Sequence, residues 1–158
     1  MSAYFHNLQV KELKRETAKT VSIGFEIPDN LKSDFQYEAG QYLTLKATIN
    51  GEDIRRSYSI SSYGDEALQV SCKVVEGGKM STFLLNELGL GDRMEVMPPM
   101  GNFTLKSIEG PLVLFAAGSG ITPIFSIVKK ALKEGKNDIK LFYGNRSEEE
   151  VIFKDALD

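Results

Sequence analysis

The chain contains one cysteine, one histidine and no tryptophan among its 158 residues. Cys72 alone can form neither an internal disulfide nor an iron–sulfur centre, and His6, in a predicted first strand, has no partners for a metal site. The N-terminal residues lack the apolar core of a signal peptide, and no apolar run approaches the length of a membrane span. These absences argue against a disulfide-rich secreted domain, a metal centre and a membrane protein, and they predict a reducing, cytoplasmic environment.

The chain also lacks a strong excess of charge. Nineteen Lys and Arg residues are interspersed with 22 Asp and Glu residues, for a net charge of −3, and no long basic block occurs. Nucleic acid is therefore not expected as a partner. The length suffices for one ordinary hydrophobic core, or for one small domain and part of another.

The first hundred residues show the two-residue alternation of β-strands. The segments "TVSIGFEI" (20–27) and "YLTLKATI" (42–49) each place four apolar residues on one face. Further strands are predicted in "IRRSYSI", "LQVSCKVV" and "RMEVM", and one helix in "STFLLNELG", with Ser81 as its N-cap. Short antiparallel strands separated by Asn-Gly, Gly-Asp and Gly-Gly turns predict a small closed barrel.

The pattern changes near residue 108. The apolar run 111–117 is typical of a parallel strand that is covered on both faces, and a glycine turn, a helix and the strand 139–143 follow it. This βαβ order is the opening of a doubly wound nucleotide-binding domain, so the predicted domains are 1–107 and 108–158. Two parallel strands with one complete helix would leave unpaired edges and exposed apolar faces, which favours a fragment of a longer protein.

The turn "AAGSGITP" (116–123) joins the first parallel strand to the helix. Gly118 and Gly120 leave backbone N–H groups free to meet a phosphate, Thr122 is predicted to cap the helix, and Pro123 suits its first turn. The alternative is a tight turn that merely needs glycine. The order of strand, glycines, cap and proline favours nucleotide binding, although Pro123 stands where the dinucleotide fingerprint has a third glycine.

Two further segments raise the same question. In "EGGKMSTF" (76–83), a glycine turn precedes the N–H groups of a helix start, which suits a diphosphate but also describes an ordinary capped helix. In "RRSYSISS" (55–62), Arg56 and Tyr58 share one face of a strand. Arg56 could pair with a diphosphate, or the face could be a solvated barrel surface with an ion pair. The pattern alone leaves both readings open.

The motifs "RSYSI", "GGKMS" and "GSGITP", in this order and spacing, resemble those of the ferredoxin–NADP reductase family, and "YGNRS" (143–147) matches a nucleotide-contacting stretch. The resemblance covers essentially the whole chain. It implies a β plus α/β fold: an antiparallel Greek-key FAD-binding β-barrel, followed by the start of a doubly wound, parallel-sheet NAD(P)-binding domain.

The resemblance also implies roles for particular residues. Arg56 would hold the FAD pyrophosphate, Tyr58 would pack on the flavin–ribityl region, and Ser59 would lie near flavin N5 with Thr122 opposite, as the two residues at the reaction centre. Other residues expected to border FAD are Ser57, Ser71, Cys72, Lys73, Lys79, Met80 and Ser81. Those expected at the nucleotide are Gly118, Gly120, Thr122, Pro123 and Arg146, with Arg146 on the adenosine part of NADPH.

The implied function is transfer of electrons from NAD(P)H, with NADPH preferred over NADH, through FAD to an iron–sulfur centre and an oxygenase. The resemblance is strongest to the subgroup that serves oxygenases in phenylacetate and aromatic degradation, whose 2Fe-2S domain would lie beyond Asp158. The segment that selects between a 2′-phosphate and a 2′-hydroxyl is missing from the chain. The alternative is a flavin- or nucleotide-binding module, such as a sensor, without catalytic turnover.

Overall fold

The computed structural model describes residues 4–107, 109–136 and 138–158. Within them the strands are β1 (His6–Thr17), β2 (Thr20–Glu26), β3 (Tyr42–Ile49), β4 (Glu52–Ser59), β5 (Leu68–Lys73), β6 (Arg93–Val96), β7 (Leu112–Ala117) and β8 (Ile139–Gly144). The helices are α1 (Lys79–Asn86), α2 (Ile121–Lys133) and the short α3 (Lys154–Leu157). Two units result: a barrel unit, β1–β6 with α1, and a parallel unit, β7–β8 with α2 and α3. The predicted boundary lies beside Ile108, which is outside the described residues.

The six strands of the barrel unit form one antiparallel sheet in the order β4-β3-β6-β1-β2-β5. Its two outer strands meet where a bridge joins Ile60 to Val70 and the Ser61 N–H donates to the Gln69 carbonyl at 2.9 Å. The sheet therefore closes on itself, as the short alternating strands predicted. Closure leaves few unpaired strand edges in this unit.

The barrel interior is filled by the apolar rows that the alternation predicted. Ile23 and Phe25 of β2 and Leu43 and Leu45 of β3 are fully or almost fully buried. Helix α1 closes one mouth of the barrel and adds Met80 and other apolar side chains to the same core. Burial of such side chains, at about 1.5–3 kcal/mol each, is the main stabilising term for this unit.

Helix α1 begins three residues earlier than the sequence predicted, since an N-cap at Ser81 would make Thr82 the first helical residue. Gly78 is its N-cap, and Ser81, expected as the cap, is its third residue. The Ser81 hydroxyl instead donates to the Gly78 carbonyl and accepts from the Val75 N–H, each at 3.1 Å. The glycine pair causes the shift: Gly77 has a φ of 71°, and a Cβ on Gly78 would lie 2.6 Å from the Ser81 hydroxyl.

In the parallel unit, β7 and β8 pair in parallel, and α2 and α3 cover one face of the two-stranded sheet. The predicted order of strand, glycine turn, helix and strand is confirmed. The expectation that two parallel strands would leave an apolar face exposed is confirmed for the described residues. Val113, Phe115 and Phe142 on the second face are exposed, and the two phenylalanine rings stack with centroids 5.0 Å apart.

Among the helices described here, none combines the length and the hydrophobicity that a membrane span requires.

Candidate functional site

Strand β4 carries a row of side chains in which an exposed arginine lies between a buried isoleucine and a half-buried tyrosine. Because Arg56 pairs with Leu45 and Tyr58 with Leu43, these side chains belong to the inward row of the sheet. Ile54 on this row is buried, Tyr58 is half-buried against the core, and Arg56 is exposed. Arg56 therefore presents its guanidinium to solvent, beside the residues that begin α1.

The N-terminus of α1 faces the same opening. The amides of Lys79, Met80 and Ser81 precede the first intrahelical bond, which Thr82 donates to the Gly78 carbonyl at 3.1 Å. The side chains of Met80 and Ser81 are buried, so these two residues can offer a ligand only their backbone N–H groups. Such amides, with the helix dipole, favour an anion.

Arg56 and the glycine turn before α1 line one groove of about 320 Å³, together with Lys79 and the start of β4. The groove thus has a guanidinium on one wall and a helix N-terminus on the other. It could hold a diphosphate by charge-assisted hydrogen bonds on both sides. A Cβ on Gly78 would also lie 2.9 Å from the Val75 carbonyl, so this wall depends on glycine.

Glu52 also lines this groove, and it was not among the predicted site residues. Its carboxylate pairs with the Lys79 ammonium, and this hydrogen bond and charge hold the pKa of Glu52 below its usual range, with a smaller contribution from Arg56. The signal was available in the sequence, because Glu52 lies four residues before Arg56 and two-residue alternation places both on one face.

Tyr58 and Cys72 are neighbours inside the barrel mouth. Burial raises the pKa of the Tyr58 hydroxyl, and the adjacent Cys72 thiol raises it further. Burial raises the pKa of Cys72 to about 11, although the hydrogen bond from Tyr58 partly opposes this shift. Both groups are therefore neutral at physiological pH. The half-buried ring of Tyr58 lies on the same face of β4 as Arg56.

Two of the predicted FAD-bordering serines have their hydroxyls engaged elsewhere. The Ser57 hydroxyl shares a hydrogen bond of 3.0 Å with Thr44 on the outer face. The buried Ser71 hydroxyl shares hydrogen bonds with Ser22 at 2.7 Å and Ser61 at 2.8 Å. Any contact of Ser71 with a ligand would have to be made by its backbone.

A second groove, of about 520 Å³, lies at the carboxyl ends of β7 and β8. Gly118 and Arg146 line it, as does Lys73 from the barrel unit. The Lys73 ammonium pairs with Glu150 at 2.9 Å, and this interaction lowers the pKa of the Glu150 carboxyl. Ligands of open α/β sheets bind at this end of the strands.

The loop between β7 and α2 agrees with the prediction in part. Gly118 has a φ of 50°, which favours glycine, whereas Gly120, the N-cap of α2, has a φ of −63°, which any residue can adopt. Thr122 is therefore not the cap: it is the second helical residue, and its hydroxyl donates to the Ser119 carbonyl at 3.0 Å. Pro123 lies in the first turn, as expected, where its missing N–H has no cost.

Ser59 and Thr122, the two residues expected at the reaction centre, line neither groove. Ser59 ends β4 and Thr122 begins α2, each half-buried or buried. One unsatisfied buried side-chain atom was found among the described residues, the Oδ1 of Asn145, which lies in the second groove. A donor from a ligand or a water molecule would satisfy this unpaired acceptor.

Comparison with known proteins assigns the chain to a family. Residues 7–105 match the profile of the oxidoreductase FAD-binding domain, and residues 114–158 match that of the oxidoreductase NAD-binding domain. The chain therefore belongs to the ferredoxin–NADP reductase-like family of FAD- and NAD-binding oxidoreductases.

Relatives in the family include two components of bacterial oxygenases. The chain is 42% identical to the ferredoxin reductase component of 3-ketosteroid-9-alpha-monooxygenase from Rhodococcus rhodochrous, over 95% of the chain and 44% of that protein. It is 38% identical to one of the subunits of 1,2-phenylacetyl-CoA epoxidase from Escherichia coli K12, over 97% of the chain and 44% of that protein. The chain thus spans less than half the length of these two relatives.

A solved structure shares the fold. Phthalate dioxygenase reductase, described as a modular structure for electron transfer from pyridine nucleotides to [2Fe-2S], superimposes with a TM-score of 0.81 at 28% identity. The match covers 97% of this chain and 47% of that one. A closed barrel followed by a parallel βαβ unit is therefore the shared architecture.

Proposed function

We propose that the chain is the FAD-binding and nucleotide-binding part of a reductase that draws electrons from NAD(P)H. The groove between Arg56 and the N-terminus of α1 carries the proposal, because it offers a guanidinium and free helix amides to one diphosphate. FAD, when bound, would supply the redox chemistry, accepting a hydride and releasing electrons singly. The proposed domains are 1–107 for FAD and 108–158 for the start of the nucleotide domain.

On the flavin side, Arg56 and the amides of Lys79, Met80 and Ser81 would hold the diphosphate of FAD. Tyr58 would pack its half-buried ring against the flavin–ribityl region. Ser59 would offer its hydroxyl to the flavin edge. The remaining predicted flavin contacts, Ser57, Ser71, Cys72 and Lys73, would act through backbone or through the shape of the barrel mouth.

On the nucleotide side, the second groove would receive NAD(P)H. Gly118 and Gly120 would let the phosphates approach the backbone, with Thr122 and Pro123 shaping the first turn of α2. Arg146 is exposed and lines the groove, so its charge could meet the adenosine end. A 2′-phosphate on the adenosine would pair with this cation, which is the reason for proposing NADPH rather than NADH.

The proposal extends to the group that accepts electrons from FAD. The relatives named above are components of oxygenases, and the structural neighbour passes electrons to a [2Fe-2S] centre. By analogy, the electrons would leave FAD for a 2Fe-2S centre in a further domain and then reach an oxygenase. One relative is a subunit of a phenylacetyl-CoA epoxidase and the other is a component of a ketosteroid monooxygenase, so phenylacetate degradation is one of two routes that the relatives support.

The visible absorption spectrum of the protein, purified with FAD and kept anaerobic, tests the proposal. A bound flavin that loses its visible absorption on addition of NADPH or NADH supports a reductase. A bound flavin that neither nucleotide bleaches would favour a binding module without turnover. A protein that retains no FAD would contradict both.

A further inference from the structure

The two units meet at a buried hydrogen bond. Ser126 of α2 is fully buried, and its hydroxyl donates to the carbonyl oxygen of Ser62 in the barrel unit at 2.7 Å. A serine within a helix can satisfy its hydroxyl on the carbonyl four residues earlier in the same helix. Ser126 instead donates to a different unit of the molecule, so its hydroxyl fixes where α2 lies on the barrel.

Residues 61–62, which contain the carbonyl that accepts from Ser126, are held by hydrogen bonds to β5. The Ser61 hydroxyl shares a hydrogen bond of 2.8 Å with Ser71 on β5, and the Ser62 hydroxyl accepts from the Gln69 N–H at 2.9 Å. Ser61 and Ser62 follow Ser59 by two and three residues. The carbonyl that Ser126 contacts is therefore tied to the end of the flavin motif by a short, fully hydrogen-bonded stretch.

The donor is tied equally closely to the nucleotide loop. Ser126 lies four residues after Thr122, so the two side chains share one face of α2, and both are buried. One turn further, the Lys129 ammonium donates to the Ser61 carbonyl at 3.3 Å and to Glu66 at 2.7 Å. The same face of α2 thus contacts the segment after the flavin motif at two successive turns.

We propose that Ser126 is a positioning residue, which sets the nucleotide loop at its working distance from the flavin motif by holding α2 on the Ser62 carbonyl. This inference rests on the proposed function, because positioning matters only if nucleotide and flavin react across the junction. A misplacement of about 1 Å can lower the rate of such a reaction about 100-fold. Ser126 itself touches neither groove.

The test compares Ser126→Ala with wild type and with Leu132→Ala, a control on the exposed side of the same helix. Each chain is loaded with FAD, and the rate of flavin reduction at saturating NADPH is measured by anaerobic stopped flow. Ser126→Ala is expected to slow the limiting rate about 10- to 100-fold while FAD affinity stays within about twofold of wild type. A wild-type rate in Ser126→Ala would overturn the proposal. So would loss of FAD binding together with a large fall in melting temperature, which would make Ser126 a structural residue only.

Amide hydrogen exchange on the same samples separates this inference from the proposed function. If NADPH fails to reduce even the wild-type chain, the proposed function fails for this chain, but the geometry can still be examined. Ser126→Ala should then speed exchange in residues 59–62 and 118–122 and leave the rest of the barrel unchanged. Unchanged exchange in both segments would overturn the positioning role whatever the reduction assay shows.

Discussion

The barrel unit and the parallel unit differ in how completely they bury their apolar surface. In the barrel, the sheet closes through Ile60 and Val70, and its core rows are fully enclosed. In the parallel unit, the helices cover one face of the sheet, while Val113, Phe115 and Phe142 on the other face are 48%, 72% and 55% exposed. A parallel sheet normally has both faces covered.

The two units also differ in whether each forms its ligand groove from its own residues alone. The groove at Arg56 is formed entirely by residues of the barrel unit. The groove at Gly118 is formed at the open end of two strands and includes Lys73 of the barrel. The first site should therefore be formed whenever the barrel is folded, whereas the second depends on both units and on how firmly α2 is held.

The largest expected effect is on stability, and it is compared between one buried residue of the barrel sheet and one exposed residue of the parallel sheet. Leu45→Ala removes a fully buried side chain from the barrel and should lower the free energy of unfolding by about 2–5 kcal/mol. Phe115→Ala removes a mostly exposed ring and should cost less than about 1 kcal/mol, since it loses mainly its stacking on Phe142. Urea titrations measure both. Equal losses for the two variants would show that the bare face is as well packed as the barrel.

The second prediction concerns the affinity of the barrel unit for FAD. Arg56→Ala should weaken FAD binding by about 1.5–3 kcal/mol, roughly 10- to 150-fold, because one charge-assisted interaction with the diphosphate is lost. Arg93→Ala is the matched control, since Arg93 is an exposed arginine of β6 that does not line this groove. Fluorescence titration of the apo-protein with FAD reports both affinities. If Arg93→Ala weakens FAD binding as much as Arg56→Ala, overall charge rather than the groove is responsible.

Because the Cys72 thiol is buried, the free energy of unfolding is expected to fall at alkaline pH. The pKa of Cys72 rises from its ordinary value of 9.0 to about 11, so between these pH values the unfolded thiol ionises while the folded one stays protonated. The unfolded state then binds fewer protons, and the free energy of unfolding should fall by about 2 kcal/mol from pH 9 to pH 11. Denaturant titrations of wild type and Cys72→Ala across this range are the measurement. Cys72→Ala should show a shallower decline, and parallel curves would rule out a contribution from Cys72.

The smallest effect concerns Thr122 in the parallel unit. Its hydroxyl donates to the Ser119 carbonyl within the first turn, so Thr122→Ala should cost about 0.5–1.5 kcal/mol of stability. Thr122→Ser keeps the hydroxyl and should stay close to wild type in a thermal melt. A serine variant as unstable as the alanine variant would assign the contribution to packing of the methyl group.

The fold was predictable from the sequence where the physical cause is local. The two-residue alternation in β2 and β3 identified their buried rows, and the glycine-rich turn after β7 identified the strand-to-helix order. The family motifs also indicated that Arg56 and the turn before α1 belong together. These features depend on side-chain periodicity and on backbone freedom at glycine, both of which can be read from a few adjacent residues.

Helix starts and tertiary contacts were not predictable in this way. Ser81 and Thr122 are residue types that are common at N-caps. The N-caps are instead Gly78 and Gly120, because the glycine turns start each helix earlier. The hydrogen bond from Ser126 to Ser62 joins residues 64 positions apart, and no local pattern indicates it. The exposed second face of β7 was predictable, because a sheet of two parallel strands with helices on one face leaves its other face uncovered.

Calorimetric titration of one sample of the chain, first with FAD and then with NADPH, tests the contrast between the two sites most directly. The groove at Arg56 is complete within the barrel, so FAD is expected to bind with at least about tenfold higher affinity than NADPH, a difference of about 1.4 kcal/mol. NADPH binding as tight as FAD binding, or no FAD binding by the folded chain, would contradict the claim that the barrel unit alone forms the complete ligand site.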